Sequence, residues 1–170
     1  MKVLGIDPGT AVLGYGVVES AAGQPARLLE CGILQTKARD PLPSRLRVIH
    51  DGILALLARH RPDAMAVESV FYARNARTTM VMSHGRGVVL LAGEEAGVPI
   101  SEYTPAMVKK AVVGRGGALK PQVGYMVAQL LRLRSAPEPA DAADGVAIAL
   151  THLLLARSRA GRARPLLGVR

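Results

Sequence analysis

The chain has 170 residues, 49% of them hydrophobic and 21% charged, which is enough for one globular domain and excludes disorder. Its formal net charge of +9 points to a polyanionic partner, nucleic acid before an acidic membrane surface. A single cysteine, Cys31, and four scattered histidines exclude an internal disulfide and a zinc cluster, and suit a reducing cytoplasm.

Taken in chain order, residues 2–6 read as a strand that ends at Asp7-Pro8-Gly9, a turn signature. Residues 13–19 read as its hairpin partner, and residues 27–36 as a third strand beyond the turn Ala21-Ala22-Gly23-Gln24-Pro25. Leu46, Ile49, Ile53, Leu56 and Leu57 recur at helical spacing and predict a helix over 42–60, stopped by Arg61-Pro62-Asp63. A short buried strand, 64–67, ends at Glu68, and a long helix spans 75–97. Residues 99–103 form another strand, after which Thr104-Pro105 opens a helix with a cap followed by proline. The loop Gly114-Arg115-Gly116-Gly117 leads to a helix over 120–133, a linker over 135–139 and a last helix over 140–157. This order describes an α/β fold, a mixed five-stranded sheet with helices on both faces. Residues 1–157 are one domain, and 158–170 a basic, flexible tail. The opening reaches a carboxylate at Asp7, too early for a signal peptide, and no run approaches the ~20 apolar residues of a membrane span, so a cytoplasmic protein is expected.

The charge is unevenly spread. No acid occurs between Glu68 and Glu94, where Arg74, Arg77 and Arg86 lie. None occurs between Glu102 and Glu138, where Lys109, Lys110, Arg115, Lys120, Arg132 and Arg134 lie. Such windows suit phosphate contacts.

Against this basic background four acids need an account. Asp7 and Glu68 each close a predicted strand, and Asp141 and Asp144 stand three apart at the start of the last helix, on one face. Singly, Asp7 reads equally as a turn residue, Glu68 as a solvated strand end, and the last two as acids complementing a helix dipole. Jointly they read differently, because functional groups of open α/β sheets gather at the carboxyl ends of strands. Gathered there, four carboxylates repel one another unless a hard divalent cation relieves them. Mg²⁺ takes oxygen ligands and keeps waters for a substrate, and two ions suit phosphodiester cleavage. Gly5 and Gly9 beside Asp7 are read as leaving room for a substrate backbone.

The segments Gly5-Ile6-Asp7-Pro8-Gly9-Thr10, Gly14-Tyr15-Gly16, Leu42-Pro43-Ser44-Arg45-Leu46, Val67-Glu68-Ser69-Val70-Phe71, Val108-Lys109, Val112-Val113-Gly114 and Asp141-Ala142-Ala143-Asp144 resemble the motifs of RuvC-type Holliday junction resolvases. They run in the family's order to about Leu155. The resemblance implies a ribonuclease H-like fold and paired nicking of four-way DNA junctions by a cytoplasmic homodimer. It implies magnesium, two ions per subunit with manganese as a substitute, and work beside the branch-migration complex RuvA-RuvB. By motif match, Asp7, Glu68, Asp141 and Asp144 are the catalytic, metal-holding acids. Phe71, the only phenylalanine, is placed to stack on an unpaired base, with Arg74, Arg77, Lys109, Arg115 and Lys120 on phosphates. The helix carrying Met80, Met82, Val88 and Leu91 has more apolar surface than one core face needs and is the expected dimer seam. The histidines, His50, His60, His84 and His152, are read as structural or surface residues, and Cys31 as a small apolar strand residue. Two rival readings are a ribonuclease for RNA–DNA hybrids on the same fold and a non-catalytic junction binder.

Overall fold

The computed structural model describes residues 1–21, 24–69 and 76–162. Five strands form one mixed sheet in the order β3-β2-β1-β4-β5. β1 (Lys2–Asp7), β2 (Val12–Glu19) and β3 (Arg27–Gln35) are antiparallel neighbours. β4 (Ala64–Glu68) and β5 (Ile100–Tyr103) extend the sheet in parallel from β1. The parallel half brings the carboxyl ends of β1, β4 and β5 to one edge.

Strand periodicity divides the core in two. Leu4, Ile6, Val17, Met65 and Val67 face α1 (Leu42–His60) and α2 (Ala76–Glu95), where they pack on Ile49, Ile53, Val89 and Ala92. Val3, Val18 and Ala66 face the other way, toward α3 (Pro105–Val113), α4 (Lys120–Leu131) and α5 (Ala140–Arg162). On that side α5 lies across β1 and β2, and its Val146, Ala147, Ile148, Ala149 and Leu150 are all buried.

Element boundaries follow local chemistry. α1 ends at Arg61, which takes the left-handed conformation (φ 45°) and returns its N–H to the Leu57 carbonyl. α3 starts at Thr104, whose side chain accepts from the Met107 N–H, and stops at Gly114 (φ 90°). α4 ends two residues before the predicted boundary, because Arg132 turns left-handed (φ 56°) with no glycine to signal it. α5 runs on to Arg162, past the predicted end at 157. No helix among the described residues is long and apolar enough to cross a membrane.

Candidate active site

Parity fixes where the first two acids point. On β1, Val3 and Gly5 face α5, so Asp7 does too; on β4, Ala66 does, and so does Glu68. The parallel register pairs Ile6 with Val67, which makes Asp7 and Glu68 neighbours one step on, at the carboxyl edge. Glu68 is paired in turn with Tyr103, whose carbonyl accepts from the Ser69 N–H at 2.8 Å and ties down the chain just after Glu68. The Tyr103 hydroxyl is 2.9 Å from His152 Nδ1 on α5, so β5 is fastened to the helix that carries the other two acids.

Glycine brings α5 down onto this edge. Gly5 pairs with Gly16 and Asp7 with Gly14, all under α5. A Cβ on Gly5 would lie 2.2 Å from the Gly145 carbonyl oxygen, and one on Gly145 2.5 Å from the Tyr15 Cα. Backbone therefore packs on backbone, and the first turn of α5 sits against Asp7. The space at Gly5 that the sequence suggested for substrate is filled by α5, and at Gly9 the Val12 carbonyl oxygen occupies the corresponding position.

The result is a cluster of acids. Carboxylate oxygens of Asp7, Asp141 and Asp144 come within 4.8 Å of one another. Glu68 lies outside that group of three but feels the charges of Asp7 and Asp144. Burial first, then the Asp144 charge, raises the Asp7 pKa to about 6, and burial followed by the Asp7 charge raises Glu68 to about 7. Lys120 on α4 answers part of the negative charge: its Nζ is 2.7 Å from Asp144 Oδ2, and this hydrogen bond raises the lysine pKa. Lys109 on α3 also holds Glu68 down, though less than the acids push it up. The cluster is anionic, oxygen-only and under-neutralised, which fits a hard divalent ion.

The other expected contacts divide. Arg115 is exposed in the turn between α3 and α4. Phe71 and Arg74 lie outside the described residues; Arg77 falls in the first turn of α2, with its side chain likewise outside them. Cys31 packs on the α5-side core, and burial raises its thiol pKa. His50 bridges Asp51 and Glu95, and His60 reaches Glu30 Oε2 at 2.7 Å, so both are structural as expected. The Lys120–Asp144 and Tyr103–His152 pairs had no sequence signal, since their partners stand 24 and 49 residues apart.

The family model of crossover junction endodeoxyribonuclease RuvC matches residues 3–152. The chain belongs to the RuvC family. A RuvC from Syntrophomonas wolfei is 48% identical over 153 residues, covering 90% of this chain and 88% of the relative. The solved Thermus thermophilus RuvC structure superposes with a TM-score of 0.85 at 43% identity, covering 94% of this chain and 97% of that one. The T. thermophilus RuvC in complex with Holliday junction substrate gives the same TM-score at 40% identity, covering 93% and 96%. The yeast mitochondrial resolvase Ydc2, at 15% identity and a TM-score of 0.69, shares the fold. The mixed five-stranded, ribonuclease H-like architecture expected from the sequence is the fold of this RuvC chain.

Proposed function

We propose that this metal-dependent crossover junction endodeoxyribonuclease resolves four-way DNA junctions at a site made by Asp7, Glu68, Asp141 and Asp144. The observation that supports the reading is the meeting of Asp7, Asp141 and Asp144 oxygens within 4.8 Å, beside a raised Glu68. The proposed ion is Mg²⁺, two per subunit, with Mn²⁺ as a substitute. Bound there, the metal supplies an activated water and stabilises charge on the leaving oxygen. The sheet holds Asp7 and Glu68, and α5 holds Asp141 and Asp144, so the ligands are fixed by elements rather than loops. Lys120, paired with Asp144 at 2.7 Å, would be free to turn to a substrate phosphate with that acid engaged by the ion. Lys109, Arg115, Arg74 and Arg77 neutralise neighbouring phosphates, and Phe71 stacks on a base unpaired at the junction.

Resolution needs two symmetric nicks, so a homodimer with two-fold symmetry is part of the proposal. α2 offers the seam: Val89 and Ala92 are buried inside, while Met80 and Leu91 remain 64% and 52% exposed. They border a groove of about 540 Å³ with Leu46 and Val88. Cytoplasmic action beside the branch-migration complex RuvA-RuvB, and a single nuclease domain over 1–157 followed by a basic tail, complete the reading.

The test incubates the protein with an immobile four-way junction, a linear duplex and an RNA–DNA hybrid, with and without Mg²⁺. Paired nicks in the junction alone, only with metal, support the proposal. Preferential cutting of the hybrid would overturn it. Sedimentation equilibrium of the wild type and Met82→Glu tests the seam: a dimer that survives the substitution places it elsewhere.

A further inference from the structure

A second cavity, about 570 Å³, adjoins the acid cluster and shares Asp144 and Lys120 with it. It lies between the start of α4 and the linker that leads into α5. Pro121, Pro137 and Pro139 line it together with Ala136 and Ala140. The linker runs close over α4, where a Cβ on Gly124 would be 3.3 Å from the Ala136 Cβ. Glu138, exposed, is the lining acid besides Asp144.

We infer that this cleft receives the nucleobase of a nucleotide flanking the scissile phosphate, and that Glu138 reads it. The inference rests on the reading of the acid cluster as the cleavage site. A strand whose phosphate lies at that cluster beside Lys120 must carry its next nucleotide close by, and the cleft opens there. Its charge decides which part of the nucleotide enters. With Asp144 and Lys120 engaged at the cleavage site, Glu138 is the charge left on the cleft wall; it repels a second phosphate, whereas a neutral base meets no such penalty. Proline and alanine walls suit the flat face of a base, much as small-ligand sites combine apolar walls with few polar groups. A carboxylate accepts from exocyclic amino groups such as cytosine N4 but not from a carbonyl edge, so Glu138 discriminates between bases. The cleft would thus set where along a junction the enzyme cuts, while affinity stays with the basic residues.

The experiment uses junctions randomised at the base pairs flanking the crossover, with nicked strands sequenced and junction affinity measured separately. Wild type is expected to show a base preference at one flanking position. Glu138→Gln should weaken or redirect that preference by about tenfold, with the junction dissociation constant unchanged within about twofold. Ala136→Leu, which fills the cleft, should slow cleavage of every sequence at unchanged affinity; thermal denaturation checks that it is folded. Glu138 is exposed, so its variant keeps the test valid if Ala136→Leu misfolds. A wild type that cuts junctions without flanking preference, or a preference that survives Glu138→Gln, overturns this inference alone. A wild type that cuts no junction overturns the proposed function with it.

Discussion

The backbone carbonyl of Asp141 lies directly above Gly14: a Cβ there would be 1.8 Å from the Asp141 oxygen. Gly14 is the strand partner of Asp7, so one rung of the sheet carries one acid and seats the turn that carries another. Gly14→Ala is therefore expected to lift the first turn of α5 and separate Asp141 and Asp144 from Asp7. Overpacking of this kind costs about 1–3 kcal/mol, or roughly 2–12 °C in melting temperature for a chain of this size. The diagnostic result is functional: magnesium should no longer raise the melting temperature, although the variant still folds. A variant that binds metal as the wild type does would show that α5 is positioned by other contacts.

Each of Asp7→Asn, Glu68→Gln, Asp141→Asn and Asp144→Asn is expected to reduce junction cleavage at least about 100-fold, about 3 kcal/mol in transition-state free energy. Junction affinity should persist, because it comes from lysine and arginine on phosphates. Without metal, binding should tighten slightly, since each change removes a charge that repels the backbone. Gel-shift and cleavage assays on the same junction separate the two effects. An acid whose amide variant cleaves at close to the wild-type rate does not belong to the site.

The raised acids also set a pH dependence. Asp7 at about 6 and Glu68 at about 7 exceed their unfolded values of 3.8 and 4.5, so between about pH 4 and 7 the folded chain binds more protons than the unfolded one. Stability from these groups is thus present at low pH and lost as pH rises through their folded values. Glu30, lowered by His60, Tyr15 and Arg59 against its burial, works in the opposite direction, so the measurement is a difference. At pH 8 without metal, Asp7→Asn should be more stable to unfolding than wild type, by on the order of 1–2 kcal/mol after allowance for solvent screening. At pH 4 the advantage should vanish, and saturating magnesium at pH 8 should reverse it. Cleavage should rise with pH through about 6–7, the midpoint moving lower as magnesium increases, because metal and protons compete for the same oxygens. A pH-independent difference between wild type and Asp7→Asn would remove the electrostatic account.

Local signals carried the order of elements and the four acids. Asp7 before Pro8-Gly9, Glu68 at the end of an apolar run, and the i, i+3 pair Asp141 and Asp144 each had a readable position. What joins them was not readable. Gly5 announces that something approaches the sheet closely, but a strand glycine does not say whether helix or substrate arrives. Here it is α5. The end of α4 at Arg132 was hidden because a left-handed arginine has no compositional mark. The link from Lys120 to Asp144 depends on how α4 packs beside α5, a tertiary fact.

That link yields the sharpest separation of binding from catalysis. Lys120 is 71% exposed and Asp144 21%, so the ion pair lies at the mouth of the cluster rather than deep within it. Without metal, the ammonium group is the nearest relief for Asp144 and also lowers the pKa values of Asp7 and Glu68. On the proposed reading a divalent ion held by Asp144 would displace it, so the lysine would compete with metal as well as serve the substrate phosphate. Lys120→Met removes both roles. At pH 8.5, above the raised values of Asp7 and Glu68, calorimetry should show magnesium binding several-fold tighter than in wild type, because no ammonium competes. Below pH 7 the advantage should shrink, since Asp7 and Glu68 then hold their protons more firmly. Cleavage should nevertheless fall at least about tenfold with saturating metal, equivalent to about 1.4 kcal/mol, as the phosphate loses its contact. Lys120→Arg should restore most junction contact but keep the competition with metal. Weaker magnesium binding by Lys120→Met at pH 8.5 would mean that the lysine organises the acids, and its displacement would no longer be part of the mechanism.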